Sequence, residues 1–247
     1  MNKLFRPQTY EELTSILESQ TEKYLYYSGG TEVMSDYRQG KIKEKQWIDI
    51  KHLPGMMEQS PETIGACVFL NQLTQPAMLA EVAQGIADHT IRNHLTIGGN
   101  VCGKLPFREI VLPLLALDAE ISIFSDGEII RVPLKERFDK FLKLQPGELV
   151  TGFHFDRTER PYHYKRHTIT GSIDYPLMTY LAVRTEQGYF VGLSGYGSIP
   201  QFAWFENWDV EEILNSFKAV SNDRGSADYR KKLLEIELEK GAPNEAV

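Results

Sequence analysis

Residues 91–100 read IRNHLTIGGN. A β-branched approach, Thr96 and Ile97, runs directly into Gly98, Gly99 and Asn100, the composition of backbone that another group must approach closely. Paired glycines carry no Cβ and tolerate positive φ, so successive N–H groups can converge on an anion, with flanking Thr and Asn as added donors. A second stretch is built the same way: Tyr27-Ser28-Gly29-Gly30-Thr31-Glu32-Val33 follows the β-rich KYLYY. Either pair alone reads first as an ordinary tight turn. Two of them, each framed by threonine and a polar neighbour, point toward a shared ligand such as a nucleotide or flavin.

Two phosphate-loop templates fail nearby. Gly98 to Lys104, GGNVCGK, matches GxxxxGK, but Leu105 stands where Ser or Thr must ligate Mg²⁺, and Pro106 follows. GYGSIP at 195–200 begins like a dinucleotide fingerprint, but places Pro200 where the third glycine belongs and has no clear helix behind it. We read it as a turn.

The remaining chemistry is sparse. Cys67 and Cys102 are the only cysteines, in no CxxC or Cys/His spacing, so a disulfide framework, a zinc site and an iron–sulfur cluster held by this chain alone are unsupported. Two thiols cannot supply the four ligands of an ordinary cluster. With 27 basic and 34 acidic residues, net −7, the chain is not expected to bind nucleic acid. No apolar stretch is long enough to cross a membrane and no signal core opens the sequence, so the expected location is the cytoplasm. His163 and His167, in strand-like sequence, would share one face of a strand, hydrogen-bonded or solvated rather than metal-bound. They belong to YHYKRH (162–167), the most basic and aromatic patch of the chain, read as a solvated strand or as a positive group meeting an anionic or electron-rich ligand or a partner subunit.

Thr9 and Glu12 form a capping-box pattern that predicts a helix near 10–19, followed by strands at KYLYY and QWIDI (46–50) on either side of the glycine turn. TIGACVFL reads as a strand, and QPAMLAEVAQGIADH and FREIVLPLLALDA as helices. AEISIF and EIIRVP read as a hairpin about Ser125-Asp126-Gly127. Four strands, LVTGFHF, YHYKRHTI, LMTYLAVRTE and YFVGLSG, and helices at 209–219 and 227–240 complete the chain. Without regular βα alternation, the fold class is α+β.

With these residues in place, the sequence resembles the FAD-binding, medium-type subunit of the molybdenum hydroxylases, which include xanthine dehydrogenases and carbon monoxide dehydrogenases. The likeness is carried by FRPQTYEEL, SGGTEV, IRNHLTIGGN, LPLLALDAE and DRGSADYR. It implies a two-lobed FAD-binding domain of the vanillyl-alcohol-oxidase type (lobes 1–55 and 56–165) and a small α+β C-terminal domain (166–247). It implies FAD as cofactor, its pyrophosphate wrapped by Tyr27, Ser28, Gly29, Gly30, Thr31, Glu32 and Val33 and by Thr96, Gly98, Gly99, Asn100 and Cys102. Where the family has Ser-Pro-x-x-Asp, this chain has Leu105-Pro106-Phe107-Arg108-Glu109, so Glu109 would take the acidic role toward the ribityl or ribose region. Val150 would offer a backbone contact, and Lys165 a cation near the isoalloxazine. The implied function is an electron relay. A molybdopterin large subunit hydroxylates substrate, 2Fe–2S clusters on a small subunit carry electrons, and FAD passes them to NAD⁺, oxygen or another acceptor. The alternatives are a free-standing flavin oxidoreductase of the same fold and a flavin-free assembly paralogue.

Overall fold

The computed structural model describes residues 3–156, 158–171 and 173–244. The first fifty residues form β1 (Lys3–Phe5), α1 (Tyr10–Glu18), β2 (Tyr24–Tyr27), α2 (Thr31–Arg38) and β3 (Gln46–Asp49). The sheet order is β1-β3-β2 and every pairing is parallel. This corrects the expectation of helix, strand, turn and strand without βα alternation. β1 is three residues long and carries no pattern, and α2 (TEVMSDYR) buries none of its residues, so no apolar period marks it. The helix at 10–18 is as expected: Thr9 Oγ1 accepts from the Glu12 amide, and Glu12 Oε2 accepts from the Gln8 amide at 2.7 Å. Parallel pairing brings the carboxyl ends of β2 and β3 side by side, with Tyr27 opposite Asp49.

The second sheet is antiparallel, in the order β4-β7-β5-β6, from β4 (Thr63–Gly65), β5 (Glu120–Ser125), β6 (Glu128–Pro133) and β7 (Leu149–His154). Asp126 (φ 50) and Gly127 (φ 87) turn β5 into β6, the two successive left-handed residues that suit a two-residue hairpin. Between β4 and β5 run α3 (Ala77–Gly85), α4 (His89–Arg92), α5 (Ile97–Cys102) and α6 (Val111–Ala116), and α7 (Leu134–Arg137) follows β6. TIGACVFL is therefore a strand only over its first three residues. The expected single helix through 75–89 ends at Gly85, where Ile86 turns extended and Ala87 takes φ 50.

A third sheet, in the order β11-β10-β9-β8, is antiparallel: β8 (Tyr162–His167), β9 (Met178–Thr185), β10 (Gly188–Ser194) and β11 (Gln201–Phe205). β11, not foreseen, lies just after the turn at 195–200. Helices α8 (Val210–Ser216) and α9 (Ala227–Glu239) add Ile213, Leu234 and Leu238 to a core with Met178, Tyr180, Val191 and Leu193. Arg230 of α9 is a buried cation. It donates to the carbonyls of Val220, Leu177 and Gly195 and to Asn222 Oδ1, joining three loops through neutral oxygens.

The chain forms two compact units that interleave in sequence. Unit 1 holds residues Met1–Leu73, His89–Gly103 and Asp118–Asp156; unit 2 holds Thr74–Asp88, Lys104–Leu117 and Arg157–Val247. The first two sheets lie in unit 1. The third lies in unit 2, together with α3 and α6, which pack against β8 and against β9 and β10 respectively. Among the described residues, no helix is long and apolar enough to cross a membrane, and no group of three His, Cys, Asp or Glu side chains is disposed to hold a metal.

Candidate functional site at the two glycine pairs

Unit 1 brings both glycine pairs together. Ser28 Oγ lies 3.1 Å from Thr96 Oγ1 and 3.1 Å from Cys67 Sγ. A Cβ at Gly29 would overlap the carbonyl oxygen of His94, and one at Gly103 would stand 2.8 Å from Glu32 Oε2. Three contacts thus join residues 28–32 to residues 94–103. The glycine at 29 is required because the other loop approaches it there.

The two pairs differ in detail. Gly30 has φ 78 and is the N-cap of α2, with no side chain capping the helix. Tyr27 folds beneath it, so a Cβ at Gly30 would come within 2.5 Å of the ring. The first-turn amides of α2 are the donors that every helix leaves without an intrahelical partner, and α2 has no side chain capping them. Its positive end favours an anion.

Gly98 and Gly99 form no comparable nest. They sit inside α5, and neither is among the glycines of positive φ. Gly98 donates to the carbonyl of Ala66 at 2.8 Å, and Gly99 to Thr96 Oγ1 at 3.1 Å, so Thr96 caps its own helix. A Cβ at Gly98 would stand 2.7 Å from that same Ala66 oxygen. These glycines admit neighbouring backbone. Their converging-amide reading is corrected accordingly, because both N–H groups already have protein acceptors. Asn100, half-buried, and Cys102, exposed, continue the same short helix.

Lys51, which sequence reasoning passed over, stands at the carboxyl end of β3. Its ammonium lies 2.6 Å from Asp49 Oδ1, donates to the carbonyl oxygen of Ser28 at 3.2 Å, and sits 4.6 Å from the centre of the Tyr27 ring. Asp49 is buried, with Arg6 Nε 3.8 Å from its second oxygen. Recognising β2 and β3 as parallel neighbours would have brought Lys51 into view, since sites in such sheets gather at the strands' carboxyl ends. Cys67, behind Ser28, is fully buried, and burial pushes its thiol up to about 11.

The remaining expected residues lie on other elements. Val150 is buried in β7, opposite Ile123 across a register shift in β5. Glu109 belongs to unit 2 and is fully buried there. Arg166 Nε lies 3.0 Å from one of its oxygens, and the Thr179 hydroxyl donates to the same oxygen at short range. Burial pushes this carboxyl upward while the guanidinium pulls it down. In the structure its partners are thus these two side chains. Lys165, also in unit 2, is exposed on β8. Strand alternation sets it on the face of His163 and His167, opposite Tyr162, Tyr164 and Arg166. The basic patch is accordingly divided: Arg166 meets Glu109, and His167 Nε2 lies 2.9 Å from Glu237.

Comparison with known proteins gives the family and the fold. Residues 1–156 match the family described as FAD binding domain in molybdopterin dehydrogenase. The xanthine dehydrogenase FAD-binding subunit of Escherichia coli O157:H7 is 24% identical over 172 residues, covering 64% of this chain and 57% of that protein. The chain thus spans little more than half the length of that relative. Among solved structures, quinoline 2-oxidoreductase from Pseudomonas putida 86 superposes with a TM-score of 0.81 at 17% identity, over 97% of this chain and 95% of the other. Reconstituted CO dehydrogenase from Oligotropha carboxidovorans gives 0.80 at 20% identity, over 98% and 96%. Those two likenesses establish a shared fold.

Proposed function

The chain belongs to the family of FAD-binding domains of molybdopterin dehydrogenases, and from that premise we propose that it is the flavoprotein subunit of a molybdenum hydroxylase of the xanthine dehydrogenase type. The observation that carries the proposal is the uncapped, glycine-led N-terminus of α2, held against the second glycine segment and flanked by Lys51. The residues present fit a pyrophosphate: an uncapped helix end, a left-handed glycine that a Cβ would push into Tyr27, and a fixed cation nearby.

Tyr27, Ser28, Gly29, Gly30, Thr31, Glu32 and Val33 would form the pyrophosphate wall. Thr96, Gly98, Gly99, Asn100 and Cys102 would support it from behind, and Val150 would contribute main chain. Glu109 and Lys165 remain proposed contacts to the ribityl region and the ring. Bound FAD would supply one- and two-electron redox chemistry, linking iron–sulfur clusters on a small partner subunit to NAD⁺ or another acceptor. Substrate hydroxylation would belong to a molybdopterin large subunit, in keeping with the two cysteines here.

On this reading the first sheet is lobe 1 (1–55) and the second sheet lobe 2 (56–165) of a vanillyl-alcohol-oxidase-type domain. The third sheet with α8 and α9 is the C-terminal domain (166–247), although β8 begins at residue 162.

The purified chain should show flavin absorbance, or acquire it when FAD is added. Saturation at about a hundred times the dissociation constant should stabilise the fold by about 2.7 kcal/mol. A chain that neither carries nor takes up FAD, and whose melting temperature ignores it, would overturn the proposal. Co-purification with cluster-bearing and molybdenum subunits tests the assembly.

A further inference from the structure

We infer that Lys51 is the positioning residue of the flavin site: anchored by Asp49, it holds the Ser28 carbonyl and so sets the direction of the Gly29 amide toward the pyrophosphate. The inference rests on the proposed FAD site and goes beyond it by assigning a role to a residue outside both glycine segments.

Three observations support it. First, the ammonium is fixed: it lies 2.6 Å from Asp49 Oδ1, and its side chain is only 24% exposed. Second, it acts on the backbone just ahead of the glycine pair, donating to the Ser28 carbonyl at 3.2 Å. In a trans peptide the C=O and the following N–H point in opposite directions. Drawing the Ser28 oxygen toward Lys51 therefore turns the Gly29 N–H away from Lys51. Gly29 has no side chain to resist this, and His94 backs it from the other loop. Third, Ser28 is also the junction with the second segment through Thr96 Oγ1. One cation thus braces the residue at which the two segments meet.

The charge arrangement gives the assignment a direction. Asp49 is buried, and Lys51 compensates its negative charge within two residues of the strand end. Removing the ammonium would release the Ser28 carbonyl and leave an under-compensated carboxylate beside a site for a phosphate anion. Both effects weaken binding.

The experiment compares FAD affinity of the full chain, by flavin fluorescence, for wild type, Lys51→Met, Lys51→Arg and the double variant Asp49→Asn with Lys51→Met. We expect Lys51→Met to weaken FAD binding about tenfold or more, and Lys51→Arg to recover most of the loss. The dependence of affinity on salt should change in Lys51→Met and stay near wild type in Lys51→Arg, a readout that a purely structural role would not move. The double variant replaces the buried pair by neutral side chains. It should bind FAD more weakly than wild type even at equal thermal stability, and it carries the test if Lys51→Met fails to fold. FAD affinity within about twofold of wild type in Lys51→Met, or in the double variant where Lys51→Met fails to fold, would overturn the assignment while leaving the FAD site standing. Absence of FAD binding by the wild-type chain would instead overturn the FAD site, and the assignment with it.

Discussion

The two glycine pairs look alike in sequence and do different work. In residues 28–32 the second glycine adopts a left-handed conformation and begins a helix that no side chain caps. In residues 96–100 the glycines are helical, their amides are donated to Ala66 and Thr96, and the helix carries its own cap. Gly29 and Gly98 both leave room for neighbouring backbone, but only the first pair opens a helix whose end no side chain caps. A glycine pair therefore marks close approach, and on the proposed reading the missing cap marks the pair that a ligand also approaches.

This contrast can be broken experimentally, beginning with its strongest element. Gly29→Ala should be the most damaging change, because its Cβ would overlap the His94 carbonyl and the two segments would have to part. We expect a loss of about 3 kcal/mol or more in urea unfolding, together with loss of FAD binding. Gly98→Ala comes next. Its Cβ meets Ala66 main chain at 2.7 Å and side chain at 2.8 Å, which should cost about 1–3 kcal/mol of stability, with FAD affinity falling only as far as folding does. Gly30→Ala should cost roughly 1–2 kcal/mol for the left-handed backbone, with the Tyr27 ring displaced by the new Cβ, but should weaken FAD more than stability on the proposed reading that this turn faces the ligand. A Gly30 variant losing stability and FAD in equal measure would erase the distinction between the pairs. Thr96→Ala should be the mildest, about 1 kcal/mol for the lost cap, and Thr96→Ser should restore it. Finally, Cys67 should resist alkylation at neutral pH in the folded chain and react on unfolding, because its thiol is buried and its pKa raised to about 11.

Much of the architecture was legible because local chemistry and tertiary packing agreed. The Thr9 cap, the Asp126-Gly127 turn and the long apolar strands β9 and β10 all followed from their own residues. The parts that were missed lacked such agreement. α2 has no buried face, β1 is three residues of edge strand, and β11 follows closely on a proline-ended turn. Missing β1 and α2 concealed the parallel order, and with it the position of Lys51. Glu109 was incompletely legible for a different reason. Its partners Arg166 and Thr179 come from strands more than fifty residues away, a pairing that spacing alone cannot reveal.

The interleaving of the two units bears on how this protein can be dissected. The matched region ends at residue 156, yet α3 and α6 inside it pack with strands that begin at residue 162. A truncation at the family boundary would remove the strands against which α3 and α6 pack, where Val111–Ala116 are six successive buried residues and α3 buries Met78, Leu79 and Val82. Such a fragment would carry an adhesive apolar surface and aggregate. A soluble minimal flavin-binding fragment must therefore keep the third sheet.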